Sequence, residues 1–122
     1  MNIRPATRAD FVSFSGRPPE MAARAYVAEL DGDILALAGI YYCAGVAIAF
    51  CEMDDAMRQH RKSIMRGARL VMREVIASMR MPVFAICSKR EPNAPAFLSR
   101  LGFEPAGVTG LGALYRWDHA GS

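Results

Sequence analysis

The stretch VAIAFCEMDDAMRQHRKSIMRGARLVMREVIASMRMPVFAIC, residues 46–87, indicates a strand, a helix and a second strand. Apolar residues dominate Val46–Met53, whereas those of 63–79 recur every three or four positions, as on one side of an amphipathic helix. Pro82 ends that helix, and Val83–Cys87 is a short apolar run of the kind found inside a sheet. Such a unit forms a right-handed crossover, so the two strands are expected to be parallel.

The flanking segments complete a mixed sheet. Segments 25–30 and 34–42 are joined by Asp31-Gly32, a dipeptide that favours a tight hairpin, and a second turn at Ala44-Gly45 leads into Val46–Met53. Further elements are predicted at 2–4 (strand), 8–14 (helix capped by Thr7), 94–101 (helix) and 111–117 (strand). The predicted class is α/β (α+β), an antiparallel meander followed by one parallel crossover, in the order β-α-βββ-α-β-α-β. The 122 residues have the usual size of one domain, expected to span 1–122.

Composition excludes several classes of protein. Hydrophobic residues make up 52% and charged residues 22% of the chain, which is typical of a globular domain and not of a disordered one. The three cysteines, Cys43, Cys51 and Cys87, lie in apolar stretches without CxxC spacing, which predicts buried, reduced thiols in a cytoplasmic protein. His60 and His119 are isolated in sequence, so no metal site is expected. The longest apolar run, 34–50, is interpreted as two strands and not as a membrane span.

Positive charge is concentrated around the predicted crossover helix. The net charge is only +3, yet nine basic residues lie between positions 58 and 90 against one acid, Glu74. The nine are Arg58, Arg61, Lys62, Arg66, Arg69, Arg73, Arg80, Lys89 and Arg90. Cations beside a helix N-terminus cost about 0.3–1 kcal/mol each, unless a bound anion compensates. The pattern therefore favours an anion site near Ser63; the alternative is a solvated basic face.

Four segments, in this order, resemble the GNAT acyltransferases, a superfamily of N-acetyltransferases. They are IRPATRADF (3–11), VAELDGDILALAGI (27–40), RQHRKSIMRGARLV (58–71) and AFLSRLGFEPAG (96–107). The compact layout, in which GRPP (16–19) replaces a longer second helix, is most similar to short GNAT-like proteins of tailed-phage genomes. The resemblance implies acetyl-CoA bound between the strands Val46–Met53 and Val83–Cys87, which diverge in that family.

The resemblance also implies a set of cofactor contacts. The family's loop [QR]-x-x-G-x-[GA] cradles the coenzyme A pyrophosphate with main-chain amides, and aligning Arg61 with its first position places Ile64 and Arg66 at the two small residues. Both glycines are missing, so cationic side chains are expected to assist the amides. The expected contacts at the phosphates are Arg58, Arg61, Lys62, Ser63 and Arg66. Main-chain amides near Cys51 and Met53 are expected to hold the pantetheine and the thioester carbonyl.

Asn93 is a further candidate contact to the cofactor, because many members have an asparagine in this loop. The matching position holds Glu91, and Asn93 follows two residues later. The alternative for Asn93 is an N-cap of the helix that follows.

The same comparison identifies one candidate catalytic residue, Glu52, as general base. By alternation Glu52 shares a strand face with Val46, Ile48 and Phe50, an apolar surface that is expected to raise its pKa. The alternative is that Glu52 has no catalytic role and only marks the end of the strand. The family's tyrosine, the usual general acid, is replaced by Leu98, and Ser99 is a poor acid. Tyr41, Tyr42 and Tyr115 either line a substrate cleft or belong to the core.

Three functions remain open at this point. The first is acyl-CoA-dependent N-acyltransfer, with acetyl transfer to a primary amine on a small molecule or a protein. The second is a catalytically inactive GNAT-fold phage accessory or virion protein that acts by binding, with virion or homo-oligomer partners. The third and least favoured is nucleic-acid binding, because the basic residues have no interleaved aromatic side chains for base stacking. The expected location is the cytoplasm, that of a bacterial host if a phage encodes the chain, or a virion; no membrane partner is expected.

Overall fold

The structure is a computed structural model and describes residues 1–87 and 92–117. Its strands are β1 (Asn2–Pro5), β2 (Ala23–Leu30), β3 (Asp33–Cys43), β4 (Val46–Met53), β5 (Val83–Cys87), β6 (Glu104–Thr109) and β7 (Gly112–Trp117). Its helices are α1 (Arg8–Ser15), α2 (Arg61–Val71) and α3 (Ala94–Arg100). A 3₁₀ turn, Asp55–Met57, precedes α2, and a π-helical turn, Met72–Ile76, continues it.

The strands form one mixed sheet in the order β1-β2-β3-β4-β5-β7-β6. Neighbours β1 to β4 are antiparallel, β4 and β5 are parallel, and β7 pairs antiparallel with both β5 and β6. The predicted α/β class, with its meander and parallel crossover, is confirmed. Strand β6 was not predicted, because its sequence EPAGVT is exposed except at Thr109 and therefore lacks the alternation of a half-buried strand.

Both predicted hairpin turns are present. Asp31 and Gly32 have φ angles of 51° and 86°, and Ala44 and Gly45 have φ angles of 46° and 87°. Two successive residues in the left-handed region are what a two-residue hairpin turn requires. The turn residues thus determine the register of the meander, since each lies between strands that pair directly.

The helix between β4 and β5 differs from the prediction at both ends. It begins at Arg61, two residues before the predicted start, because the buried Met57 fixes the preceding turn against the sheet. It ends in a π-helical turn, in which the amide of Ala77 donates to the carbonyl oxygen of Met72 at 2.7 Å, and not at residue 79. Met79 itself is buried beyond the helix end.

Helices cover both faces of the sheet. Apolar residues of α2, the π-helical turn and α3 pack on one face, around Ile40, Val75 and Val83. On the other face Phe11 of α1 packs against Val27 and Leu37. The first turn of α1 carries the predicted Thr7 cap, within a capping box completed by Asp10.

The prediction of three buried thiols is wrong for two of them. Cys43 and Cys51 are exposed, because Cys43 adjoins the hairpin turn at Ala44-Gly45 and Cys51 lies beyond the residues of β4 that pair with β5, whereas Cys87 is buried and free. Burial raises the pKa of the Cys87 thiol. Within residues 1–87 and 92–117, no cluster of His, Cys, Asp or Glu side chains could hold a metal ion. In the same part of the chain no helix is long and apolar enough to cross a membrane.

Candidate functional site

Strands β4 and β5 pair over three residues only. The parallel register joins Ala47–Ala49 to Val83–Ala85, although β4 continues to Met53 and β5 to Cys87. Beyond this register the two strands diverge and leave an opening between residues 50–53 and 86–87, which we call the wedge. Within residues 1–87 and 92–117, no strand pairs with β4 or β5 across the wedge.

An apolar cavity of about 240 Å³ lies beneath α2 and α3 and reaches the wedge. Its walls come from the two helices, and its floor is formed by small side chains of the sheet: Ala28, Ala36, Ala38, Gly39, Ala49 and Ala85. Leucine or valine at these positions would fill the space. Among the described residues that line it, Tyr26, Cys51, Ser63 and Cys87 carry a hydroxyl or thiol group.

The N-terminus of α2 is open toward this cavity. The first helical hydrogen bond runs from the amide of Ile64 to the carbonyl oxygen of His60, at 2.9 Å. The amides of Arg61, Lys62 and Ser63 therefore precede the helical ladder and have no acceptor within the described residues. No side chain caps them, no acid lies in the first turn, and Ser63 borders the cavity. Uncapped amides and the positive end of the helix dipole together attract an anion.

Glu52 lies on the opposite face of the sheet, beside α1. Its Oε2 atom accepts a hydrogen bond from Ser15 Oγ at 3.0 Å. Phe50, which shares its strand face, stacks on Tyr41 with ring centroids 4.3 Å apart. Burial first, and then the charge of Glu52, raise the pKa of Tyr41. Glu52 itself is exposed, so the apolar face that it shares with Phe50 does not enclose its carboxylate.

Solved structures of other proteins share this arrangement of strands and helices. The protein smu.2055 from Streptococcus mutans superposes with a TM-score of 0.72 at 16% identity, over 98% of this chain and 99% of that one. Aminoglycoside acetyltransferase AAC(6')-Ib, in complex with coenzyme A and kanamycin, gives a TM-score of 0.64 at 16% identity, over 93% and 91% of the two chains. The ribosomal-protein-S18-alanine N-acetyltransferase from Escherichia coli gives 0.62 at 14% identity, over 95% and 92%.

The chain has the GNAT fold. No protein-family model matches the sequence, and no curated protein does. The likeness is therefore one of backbone architecture, at sequence identities of 12–16% among the solved structures compared.

Within this GNAT fold, none of the predicted cationic phosphate contacts lines the cavity in the described part of the chain. Arg61 is exposed at the first helical position, and the Nε atom of Arg58 lies 3.2 Å from Asp55 Oδ1 in an exposed ion pair. Arg66 Nη2 donates to the main-chain oxygen of Met1 at 2.9 Å, away from the cavity. Lys62 lies along the same outer side as Arg66. Of the other residues discussed from sequence, Lys89, Arg90, Glu91 and His119 lie outside the described residues.

Of the remaining predicted residues, some line the cavity and others are exposed outside it. Cys51, Met53 and Leu98 line the cavity. Asn93 is exposed at the N-cap of α3 and its side chain makes no capping hydrogen bond there. Ser99 is exposed and does not line the cavity.

Of the three tyrosines considered from sequence, Tyr42 and Tyr115 make no contact with Glu52. The hydroxyl of Tyr42 contacts Met79 Sδ at 3.9 Å on the α2 side, and Tyr115 is buried in the core. Ser15 and Tyr26 were not predicted from the sequence. Ser15 has no local signal because its partner, Glu52, is 37 residues away. The alternating alanines of β3 and β4, by contrast, indicate space beneath α2, where Tyr26 lines the cavity.

Proposed function

We propose that this protein is an acyl-CoA-dependent N-acyltransferase that transfers an acetyl group to a primary amine. The observation that carries the proposal is the wedge between β4 and β5, which opens beside the uncapped N-terminus of α2. An apolar channel next to an anion site matches a ligand that has a long neutral arm and a pyrophosphate. The presence of coenzyme A in the AAC(6')-Ib complex supports this assignment.

The residues at α2 fit a pyrophosphate in a different register from the one expected. The open amides belong to Arg61, Lys62 and Ser63, and the Ile64 amide is already bonded to His60. If the loop motif is aligned on these amides, Arg58 matches its first position, and Arg61 and Ser63 match the positions of its two small residues. The phosphates are then held one helical turn earlier than the alignment from Arg61 implies, by amides with help from cationic side chains. Arg66 is left out of this set.

The two faces of the sheet receive different substrates. Acetyl-CoA, when bound, would supply an activated acyl group, and main-chain amides near Cys51 and Met53 would hold it at the wedge. The acceptor amine approaches from the α1 face, where Tyr41 and Phe50 offer aromatic surface to a cation. Glu52 accepts the proton that the ammonium must lose before it attacks, and Ser15 orients the carboxylate. Leu98 has no proton to give, so reprotonation of the leaving group falls to solvent at the exposed Cys51 end of the wedge.

Thermal unfolding with acetyl-CoA tests the binding step. A ligand that binds only the native state stabilises it by about 2.7 kcal/mol at a hundred times its dissociation constant. The Arg61→Pro variant removes one of the open amides at a position where helices tolerate proline, whereas Arg61→Ala keeps that amide. We expect Arg61→Pro to weaken binding more than Arg61→Ala, and the matched control Arg66→Ala to leave binding within twofold. No thermal shift at millimolar acetyl-CoA would refute the proposal.

A second function is favoured by one observation. Leu98 lines the cavity where the family resemblance implies a tyrosine acid, so the chain could retain ligand binding without turnover. In this alternative the protein is a binding-only phage accessory or virion component. Release of free coenzyme A thiol, measured with a panel of polyamines, aminoglycosides and peptides with free N-termini, distinguishes the two. Stabilisation by acetyl-CoA without thiol release from any acceptor supports the binding protein.

A further inference from the structure

A second groove runs along the outer side of α2, away from the wedge. Its cationic members recur at intervals of four, three and four residues, which places them on one helical face: Lys62, Arg66, Arg69 and Arg73. Eleven residues of helix extend over roughly 16 Å. The groove is bounded on its other side by the start of β1, which is an edge strand of the sheet.

The positive charge in this groove is largely uncompensated. Lys62 and Arg69 are exposed and have no acidic partner within residues 1–87 and 92–117. Arg66 donates to a neutral main-chain oxygen, that of Met1. Only Arg73 meets a carboxylate, Glu74, at 3.1 Å, and side-chain exposures of 72% and 46% make this pair weak. Repulsion along the helix is relieved if a polyanion binds there.

Apolar side chains alternate with these cations. Met1, Ile3, Met65 and Leu70 line the same groove, and no aromatic residue among the described ones does. The groove therefore offers no platform on which the bases of a single-stranded nucleic acid could stack. Aliphatic and thioether surface between cations instead complements a peptide that carries both carboxylates and aliphatic side chains.

We propose that this groove binds an acidic, aliphatic peptide segment of a partner protein. Carboxylates of the segment pair with Lys62, Arg66, Arg69 and Arg73, and its apolar side chains pack on Ile3, Met65 and Leu70. Among the described residues, the groove and the cavity share only Ile3. Lys62 takes part in both proposals, through its main-chain amide at the phosphates and its side chain in the groove. The tests therefore use Arg69, Leu70 and Arg73, which line the groove and not the cavity.

Fluorescence anisotropy with synthetic probes tests the proposal on the full chain. The main probe is a labelled twelve-residue peptide of repeating Glu-Glu-Leu; the others are the Glu-Glu-Ser analogue and a labelled oligothymidylate. At about 150 mM salt, we expect the Glu-Glu-Leu peptide to bind at least tenfold more tightly than either. The double variant Arg69→Glu/Arg73→Glu should weaken it at least tenfold and Arg69→Glu alone at least threefold, while Arg100→Glu, a single charge reversal on α3 that matches Arg69→Glu, should change it less than twofold.

Several results would overturn the inference. Tighter binding of the oligothymidylate would assign the groove to nucleic acid, and equal binding of the Glu-Glu-Ser peptide would remove the role of the apolar residues. Unchanged binding by the double variant would place the peptide elsewhere. Circular dichroism establishes that each variant is folded, and Leu70→Ser, which keeps every charge, provides an independent test with an expected loss of at least threefold. These outcomes do not depend on whether the Arg61→Pro variant loses acetyl-CoA binding.

Discussion

Asp10 is a nearly buried carboxylate, 8% exposed, in the first turn of α1. It accepts two hydrogen bonds from Arg4, at 2.7 and 2.9 Å, and one from the Thr7 amide at 2.7 Å. The Arg4 guanidinium holds the pKa of Asp10 well below its usual value, against the opposing effect of burial. The contribution of Asp10 to stability is therefore fully present above the unfolded-state pKa, about 3.9, and is lost as the pH falls toward the folded-state pKa.

The Asp10→Asn substitution is expected to lower the free energy of unfolding by about 2 kcal/mol at pH 7, through loss of the charged hydrogen bonds. The difference from the wild type should shrink below about pH 4. Urea unfolding at both pH values measures it, with Asp33→Asn, an exposed hairpin carboxylate, as control. A difference that stays constant with pH would contradict the assignment of the stabilisation to the ionised form.

Glu52 is the residue on which the catalytic part of the proposal depends. The Glu52→Gln variant should lower kcat by about 10²–10⁴ and leave the Kd for acetyl-CoA unchanged, because the residue lies on the sheet face opposite the cavity. Ser15→Ala, which removes only the hydrogen bond to Glu52, should lower kcat by about tenfold or less. Glu104→Gln on β6 is the control. An unchanged kcat in Glu52→Gln would mean that water alone deprotonates the amine.

At the scale of the element, α2 contains a glycine that the structure does not require. Gly67 is helical, and an added Cβ would lie 3.4 Å from Ile3 Cδ1, an acceptable contact. Gly67→Ala should raise the free energy of unfolding by about 0.5–1 kcal/mol through helix propensity. A Cβ added at Gly16 would meet no atom within 4 Å, but the φ of +82° strains any other residue, so Gly16→Ala should destabilise the protein. Thermal unfolding of both variants checks this, and the prediction is wrong if both shift the Tm in one direction.

The divergence of β4 and β5 is the second feature at this scale. Ala49, the last residue of β4 in register with β5, lines the cavity. Ala49→Leu should occupy part of the 240 Å³ and weaken acetyl-CoA binding at least tenfold. Stability should stay within about 1.5 kcal/mol of wild type because space is available. Ala96→Leu, on the exposed side of α3, should change neither. Undiminished binding in Ala49→Leu would place the acyl arm outside the cavity.

At the scale of the whole molecule, the three cysteines report on the site and on global unfolding. Cys43 and Cys51 are both exposed, and of these two only Cys51 lines the cavity; Cys87 lines it too but is buried. We expect an aromatic disulfide reagent to modify Cys43 and Cys51 quickly, and Cys87 only after global unfolding. Acetyl-CoA should protect Cys51 and leave Cys43 reactive, as peptide mass spectrometry would measure. Equal protection of both thiols would indicate a general effect on stability, and protection of neither would place the ligand elsewhere.

The sequence by itself determined the elements whose signals are local. The Asp31-Gly32 turn, the Thr7 cap and the apolar stripe of α2 each depend on residues a few positions apart, and each is present. The order of these elements, with the crossover rule, was sufficient for the α/β class and the parallel pairing of β4 with β5. A periodic pattern reports the backbone repeat and the buried face, which are properties of one element.

Only the tertiary structure decided what depends on the distance between elements. Local pattern extended the helix to residue 79 and placed its start at Ser63, whereas packing of Met57 against the sheet moved that start to Arg61 and so chose which amides are open. Strand β6 exists because β7 offers it a partner. Glu52 is exposed although Phe50 shares its strand face, and strand alternation alone does not reveal that exposure. The position of four basic residues in the outer groove, away from the cavity, follows from the rotation of α2 against the sheet. The sequence contains the charges, but long-range packing sets the direction in which each one points.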